Sequence, residues 1–208
     1  MSVYTGLNRR VQILKEKVCT VWARLTLPLK GDVRISEKLT VRGHIYISNY
    51  GIIEIGNNVT INSAGWANPI GCGTKSFFRV FPEAIVKIGN HTGISNCAIT
   101  AMQSVTIGNY ALIGSGVKIF DTDFHPLEAQ YRYGELKDNS KARSKPVTIE
   151  DGAFIGAGSF ILKGSHIGKN SIIGAGSVVS GIIPENEIWA GNPAHFIKRA
   201  VVSEEYDE

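Results

Sequence analysis

Residues 147–183 read VTIEDGAFIGAGSFILKGSHIGKNSIIGAGSVVSGII. An aliphatic residue returns at every sixth position of this stretch: Ile149, Ile155, Ile161, Ile167, Ile173 and Val179. A small residue stands two places before each of the last five: Ala153, Ser159, Ser165, Ser171 and Ser177. A period of six fits neither an α-helix nor an alternating strand, and short fixed repeats are typical of solenoids. With one inward aliphatic side chain per hexad, three hexads make one triangular coil, so the stretch predicts a parallel β-helix.

Looser hexads extend this pattern back to about residue 31, with two interruptions. Residues 62–84 break the repeat, and we expect them to bulge outward before the chain rejoins the solenoid. Residues 121–146 are polar, carry no hexads and end at a proline, which predicts a long loop ejected from the solenoid. Such loops are often functional. After the last hexad, residues 191–193 (Gly-Asn-Pro) predict a turn and residues 194–201 a short closing helix.

The N-terminal part predicts a helix over residues 7–27, ended by Pro28. Its apolar residues recur at helical spacing, with basic residues around them: Val11, Leu14, Val18, Val21, Trp22 and Leu25. Two interpretations remain open. The helix caps the open end of the solenoid, or it is a basic amphipathic helix in peripheral contact with a membrane. The predicted organisation is a helical segment over 1–30, a β-helix domain over 31–200 and a tail over 202–208.

Composition narrows the class of protein. The chain has 208 residues, of which 43% are hydrophobic, and its 23 glycines suit many tight corners. A net charge of +4 is too small to indicate nucleic-acid binding, but it suits an anionic ligand. The three cysteines lack metal or redox spacing, and neither a signal peptide nor an apolar run of about 20 residues is visible. These features predict a cytoplasmic protein with reduced thiols.

Three features together resemble the hexapeptide-repeat acyltransferases: the hexads, the segment DTDFHP at 121–126 and the segment AGNPAHFIK at 190–198. The resemblance is greatest to the sugar and polysaccharide O-acetyltransferases of the maltose/galactoside acetyltransferase group, and it covers roughly residues 31–200. It implies a left-handed β-helix, a homotrimer with sites between neighbouring subunits, acetyl-CoA as the acyl donor and a sugar as the acceptor. The spacing of the hexads does not itself determine the hand.

His125 is the candidate catalytic base. Transfer of an acetyl group from a thioester to a hydroxyl needs a base near neutrality, and imidazole has a suitable pKa. Its place at the start of the polar loop and its DTDFHP setting both resemble the catalytic histidine segment of the family. Asp121 or Asp123 is expected to orient the imidazole ring, and the sequence does not choose between them. Either aspartate alternatively serves the turn alone.

The resemblance also assigns positions to the two substrates. Asn96 falls where the family binds the acceptor, although a turn residue at a coil corner is an alternative. Coenzyme A is expected to contact five positions through backbone amides, a hydroxyl and cationic groups: Ala157, Ala175, Ser180, His195 and Lys198. The Ala157 amide is expected to stabilise the oxyanion. Two positions depart from the family, since Gly181 stands where a lysine is expected and His195 where an arginine is expected.

The sequence therefore predicts an acetyl-CoA-dependent O-acetyltransferase that acts on a sugar hydroxyl in surface polysaccharide or lipopolysaccharide biosynthesis. One alternative is a xenobiotic O-acetyltransferase, with residues 62–84 as an extra loop. Another is a non-catalytic β-helix scaffold, which would not need a histidine-bearing loop. Solenoid carbonic anhydrases hold zinc with three histidines, but the five histidines here show no HxxxxH pair, so no metal is expected.

Overall fold

A computed structural model describes residues 2–201, with side chains from residue 9 onward. Helix α1 spans Ser2–Thr26, and short 3₁₀ helices span Leu27–Lys30, Pro69–Gly71, Ala129–Tyr131 and Asn139–Lys141. The strands are β1 (Asp32–Ile35), β2 (Leu39–Gly43), β3 (Tyr46–Asn49), β4 (Ile52–Ile55), β5 (Val59–Ser63), β6 (Phe77–Val80), β7 (Ile85–Ile88), β8 (Gly93–Ser95), β9 (Ala98–Ala101), β10 (Ser104–Ile107), β11 (Leu112–Ile113), β12 (Lys118–Phe120), β13 (Val147–Ile149), β14 (Phe154–Ile155), β15 (Phe160–Ile161), β16 (His166–Ile167), β17 (Ile172–Ile173), β18 (Val178–Val179), β19 (Ile182–Ile183), β20 (Glu187–Ala190) and β21 (His195–Arg199).

The strands form three sheets that wind around one core, as the hexads predict. Sheet A has the order β1-β4-β7-β10-β13-β16-β19, sheet B the order β2-β5-β8-β11-β14-β17-β20-β21, and sheet C the order β3-β6-β9-β12-β15-β18. Neighbouring coils pair in parallel, so Ile149 lies opposite Ile167 and Ile155 opposite Ile173. The six hexad aliphatics are all fully buried. One aliphatic per hexad is therefore stacked into a continuous core along the solenoid.

The small hexad residues are buried next to the corners. The hydroxyls of the serines among them bond backbone carbonyls. Ser159 Oγ donates to the carbonyl oxygen of Gly174 at 3.0 Å, and Ser165 Oγ donates to that of Val179 at 3.1 Å. Both serines are buried, so these bonds satisfy polar groups that water cannot reach.

A ladder of polar side chains supports the corner between sheets A and B. The backbone N–H of Asn57 donates to Asn90 Oδ1 at 2.7 Å, and that of Asn90 donates to Asn109 Oδ1 at 2.8 Å. The N–H of Asn109 donates to Asp151 Oδ1 at 2.6 Å. Each side chain thus caps a backbone donor of the preceding coil, a role that the apolar hexad pattern did not reveal.

Helix α1 packs against β2 at the start of the solenoid, as the cap interpretation expects. Thr20 Oγ1 accepts from the N–H of Val41 at 2.9 Å and donates to its carbonyl oxygen at 3.2 Å, and Arg24 donates to the carbonyl oxygen of Glu37 at 2.7 Å. Ala23 and Leu27 are buried against the first coil. The apolar stripe singled out in the sequence lies on the other side of the helix and is exposed, although the ring of Trp22 at its margin packs on His44 at 4.7 Å between centroids.

The predicted closing helix over 194–201 is wrong. After the turn at 191–193, which is confirmed, residues 195–199 form β21, antiparallel to β20. The physical reason is the free edge of β20, whose unpaired backbone groups are satisfied by adding a strand. The rings of Trp189 and Phe196 meet at 6.3 Å between centroids, which closes the last coil. The predicted tail over 202–208 lies outside the described residues.

The interruption at 62–84 is shorter than predicted. The chain leaves the solenoid after Ser63 and returns at Phe77, where β6 takes its place in sheet C. Phe78 is fully buried and fills the core position of this coil. The hexad pattern missed β6 because its aromatic core residue and the irregular spacing differ from the aliphatic repeat.

Between residues 2 and 201, no helix combines the length and the apolar character that crossing a bilayer requires. The three cysteines are free thiols. Cys97 is fully buried, and burial raises the pKa of its thiol, whereas Cys72 is exposed.

Candidate functional site

The polar segment 121–146 leaves the solenoid after β12 through a narrow neck. The N–H of Lys145 donates to the carbonyl oxygen of Asp121 at 2.8 Å, and the N–H of Asp123 donates to that of Arg143 at 3.0 Å. Thr122 and Ser144 form an antiparallel bridge between these bonds. The two ends of the loop therefore hold one another, and residues next to the neck have defined positions despite the length of the loop.

His125 lies directly beyond this neck, on the exposed side of a tight turn. Its backbone N–H donates to the carbonyl oxygen of Asp123 at 2.7 Å. Phe124 has φ 62°, a left-handed conformation that is rare for a bulky residue, and its ring packs edge-on against Phe120 at 5.1 Å. Strained backbone of this kind clusters at functional sites. The turn leaves the imidazole in solvent while Pro126, the next residue, is buried.

Asp121 anchors the loop to the preceding coil. Its side chain is fully buried, and its two oxygens accept the backbone N–H groups of Met102 at 2.7 Å and Gln103 at 2.6 Å. Burial raises the pKa of Asp121, and the hydrogen bonds from Gln103 and Met102 oppose this shift. Both carboxylate oxygens are thus engaged by the backbone, and the side chain has a structural role.

Asp123 differs from Asp121 in having one oxygen to spare. Its Oδ1 pairs with Lys163 Nζ of the next coil at 2.9 Å. Its Oδ2 is buried and finds no hydrogen-bond partner among residues 2–201. A buried acceptor without a partner lowers the stability of the fold by roughly 1–3 kcal/mol, so a donor that reaches this atom would be bound favourably. Of the two aspartates that the sequence left open, Asp123 is the one with free acceptor capacity beside His125.

The corner between sheets B and C forms a second feature, a column of small residues. The N–H of Gly158 donates to the carbonyl oxygen of Ser115 at 2.8 Å, and the N–H of Gly176 donates to that of Ala157 at 2.8 Å. Within the described chain, the N–H groups of Ala157 and Ala175 donate to no protein group. The column, which we call the amide corner (Ser115, Ala157 and Ala175), therefore presents backbone donors one coil apart.

Glycines allow successive coils to pack closely at the amide corner. A Cβ atom added to Gly114 would lie 2.7 Å from the nitrogen of Ala157, and one added to Gly156 would lie 2.4 Å from the nitrogen of Ala175. Either contact is too close for real atoms. Only glycine at these two positions lets the backbone of one coil pass this close to the amides of the next, which gives the Gly-X-Gly spacing of the hexads a role beyond the turn.

His125 and the amide corner lie at opposite edges of sheet C. Strand β12 starts after the corner at Gly116 and ends at the neck of the 121–146 loop. Ser180 follows β18 and so lies at the loop edge, whereas Ala175 precedes β18 and lies at the corner edge. A single chain therefore does not bring His125 together with Ala157 and Ala175.

Asn96 begins the same corner but is buried, with φ 47°. Its Nδ2 donates to the carbonyl oxygen of Thr74 in the 64–76 segment, and its Oδ1 accepts from Ser115 Oγ at 3.1 Å. Its polar atoms are thus engaged within the chain, as the alternative interpretation of a corner residue expects.

His195 and Lys198 lie on β21 and are exposed. The register places His195 opposite Ala190 and Lys198 opposite Ile188, with an irregularity between the pairs. Since Ala190 and Ile188 are two residues apart, the bulge puts both cationic side chains on one face of the sheet.

The remaining histidines have other partners. His91 stacks on Tyr110 at 4.7 Å between ring centroids, and His166 Nε2 lies 2.8 Å from Glu150 Oε1. His44 packs between aromatic rings near α1. Among the residues that the structure describes, no three His, Cys, Asp or Glu side chains are grouped as a metal site would require.

Comparison with known proteins agrees with this architecture. Residues 146–181 match the family model described as bacterial transferase hexapeptide (six repeats). The structure is similar to AntD, an N-acyltransferase from Bacillus cereus in complex with dTDP and coenzyme A, at 22% identity and a TM-score of 0.66, covering 84% of this chain and 88% of that one. It is also similar to a hexapeptide-repeat acetyltransferase from Vibrio cholerae, at 26% identity and a TM-score of 0.56, covering 71% and 73%.

A second structure of AntD holds dTDP-4-amino-4,6-dideoxyglucose and coenzyme A, and matches at 21% identity with a TM-score of 0.69, covering 86% of this chain and 89% of that chain. The Vibrio cholerae protein has also been solved with acetyl coenzyme A. The three parallel sheets and the hexads together confirm the predicted fold. The chain is a left-handed parallel β-helix that carries the bacterial transferase hexapeptide repeat and resembles the hexapeptide-repeat acyltransferases.

Proposed function

We propose that the protein is an acyltransferase that moves an acetyl group from acetyl-CoA to a hydroxyl group of a sugar. The observation that supports the proposal is that one sheet carries an exposed histidine on an anchored loop at one edge and, at the other edge, backbone N–H groups that donate to no protein group. The relatives support the donor and the acceptor class, since their structures hold coenzyme A, acetyl-CoA or a nucleotide sugar. A role in surface polysaccharide biosynthesis in the cytoplasm is part of the same proposal.

His125 acts as the general base. One imidazole nitrogen takes the proton of the sugar hydroxyl while the hydroxyl oxygen attacks the thioester carbonyl of acetyl-CoA. The tetrahedral oxyanion is stabilised by the N–H of Ala157. Collapse of this tetrahedral intermediate breaks the carbon–sulfur bond, and the imidazolium gives its proton to the departing thiolate. The products are the sugar ester and free coenzyme A, and no acyl-enzyme forms.

The pantetheine arm of coenzyme A has hydrogen-bonding groups that match the amide corner. Pantetheine carries two amide groups, whose carbonyls need backbone donors, and the N–H of Ala175 offers one. His195 and Lys198 share one face of the last sheet and supply positive charge for the phosphates. Ser180 lies at the loop edge of sheet C, where the corner of an adjacent subunit would meet it.

The opposite placement of His125 and the amide corner supports a homotrimer. If three chains pack around a threefold axis, the loop of one subunit reaches the corner of its neighbour, in a closed cyclic arrangement. Each complete site then consists of His125 from one chain and the Ala157 and Ala175 amides from the next. This arrangement gives the long 121–146 loop a surface to contact.

We propose that Asp123 Oδ2, which finds no hydrogen-bond partner among residues 2–201, accepts from the imidazolium of His125 during the transfer. Asp123→Asn is therefore expected to lower kcat roughly tenfold or more. The measurement is kcat with saturating acetyl-CoA and acceptor. Asp121→Asn is the matched control. It is expected to lower the melting temperature, because the buried carboxylate of Asp121 accepts two backbone N–H groups. Wild-type kcat in Asp123→Asn would show that Asp123 does not orient the ring.

The proposal is tested by acetyl-CoA turnover against a panel of acceptors. Release of the free thiol is followed with hydroxyl-bearing nucleotide sugars, polysaccharide repeat units, amino sugars and streptogramin-type antibiotics. We expect turnover with a hydroxyl-bearing saccharide and a product that mild alkali cleaves, as it does an ester. An alkali-stable product formed from amino sugars alone would establish N-acylation. Transfer only to the antibiotics would favour the xenobiotic function, and thiol release with no acceptor would favour a scaffold.

A further inference from the structure

Helix α1 has an apolar stripe that the solenoid leaves exposed, apart from the contact of Trp22 with His44. Leu14 is 63% exposed, Val18 60% and Leu25 68%, and Val11, Val21 and Trp22 are exposed as well. These residues recur every three or four positions, so they lie along one side of the helix. A continuous row of large exposed apolar side chains on a folded protein marks an interaction surface.

The opposite side of α1 is the one fixed to the solenoid. Thr20 bonds the backbone of Val41, and Ala23 and Leu27 are buried against the first coil. The stripe therefore points away from the protein and cannot fold back onto it without breaking these contacts. The helix is held rigidly, with its apolar side presented outward.

Basic residues border the stripe on both sides. Arg10 and Lys17 lie along one flank and Lys15 along the other, at about 100° of rotation per residue, and all three are exposed, with Lys15 Nζ 6.0 Å from the centroid of the Trp66 ring. The helix contains a single acidic residue, Glu16, which turns towards the solenoid and pairs with Arg42 at 2.6 Å. The outward side of α1 is thus apolar along its centre and positive along both edges.

We propose that this side of α1 docks the protein on an anionic lipid surface, with the helix lying in the plane of the interface. Apolar side chains enter the boundary between headgroups and acyl chains, and flanking lysines and arginines meet the acidic headgroups. Charge excludes a second copy as the favoured occupant, because two such stripes packed together would bring their basic flanks side by side. The proposal does not depend on the catalytic one.

The test is vesicle co-sedimentation of the full chain without substrate. We expect binding to phosphatidylcholine vesicles that contain phosphatidylglycerol, weak binding to pure phosphatidylcholine, and release as the salt concentration rises well above about 0.1 M. Leu14→Glu combined with Val18→Glu should lower the partition coefficient at least tenfold, since charges enter the apolar contact. Gln12→Glu is the matched control, because it adds a carboxylate at an exposed position away from the stripe.

The basic flanks are tested separately. Arg10→Gln, Lys15→Gln and Lys17→Gln should each weaken binding to the anionic vesicles about fivefold, and the triple variant about a hundredfold. Circular dichroism and melting temperature should stay unchanged in all these variants, because the altered side chains are exposed.

Absence of binding to the anionic vesicles would overturn the proposal, as would unchanged binding of the Leu14→Glu, Val18→Glu variant. If the wild type does not bind vesicles and the double variant has a lower mass than the wild type in light scattering, a second copy of the chain covers the stripe instead.

Discussion

His125→Ala is expected to lower kcat by about 10²- to 10⁴-fold while leaving the affinity for coenzyme A close to that of the wild type. Loss of the imidazole removes the base that takes the hydroxyl proton in the transition state. Coenzyme A contacts other groups, so its binding does not need this side chain. The imidazole is exposed, and the melting temperature should therefore not change.

The measurement is steady-state turnover with the best acceptor of the panel, together with calorimetric titration of coenzyme A. His91→Asn serves as the control, since His91 is another exposed histidine that follows a coil corner and asparagine tolerates its positive φ of 58°. Wild-type turnover in His125→Ala would remove His125 from the mechanism, whereas an equal loss in His91→Asn would point to a general effect on the solenoid.

The second large expected effect is the recovery of activity when two inactive variants form mixed trimers. Ala157→Trp should abolish measurable activity alone, because an indole at the amide corner occupies the space that the thioester needs. His125→Ala is also nearly inactive alone. Co-refolded mixtures of the two should recover activity, because roughly a quarter of the interfaces then join a wild-type His125 to a wild-type Ala157 corner.

Mixtures of each variant with itself, taken through the same refolding, provide the baseline. Recovery to about a quarter of wild-type turnover would show that two chains share each site. No recovery, together with a fully active monomer in light scattering, would contradict the shared site and would require a site built within one chain.

The sequence predicted the residues of the core far better than the chain ends. Ile149 and Ile155 are buried as expected, because inward side chains in stacked coils recur at the same interval along the chain. The strand at 195–199 was missed for the opposite reason. Its conformation is set by the free edge of β20, and a short segment with helix-compatible composition carries no sign of that edge.

At the candidate site too, the sequence alone could not distinguish the role of Asp121 from that of Asp123. Two residues apart on an extended segment, they look equivalent in sequence. Their roles separate only through partners distant in the chain, since Asp121 accepts from Met102 and Gln103 whereas Asp123 pairs with Lys163 and keeps one oxygen free. Similarly, the periodicity of α1 revealed an apolar stripe, but not that the solenoid would take the opposite side.

The amino-acid sequence by itself determined the coil, its core residues, the ejected loop and the candidate base, because each depends on a short repeat or a local segment. Tertiary structure alone decided that His125 and the Ala157 amide lie at opposite edges of one sheet. It also decided which face of α1 stays free. Both are relations between segments many residues apart, and they are set by how successive coils stack and which backbone edges remain to be paired, which no local pattern encodes.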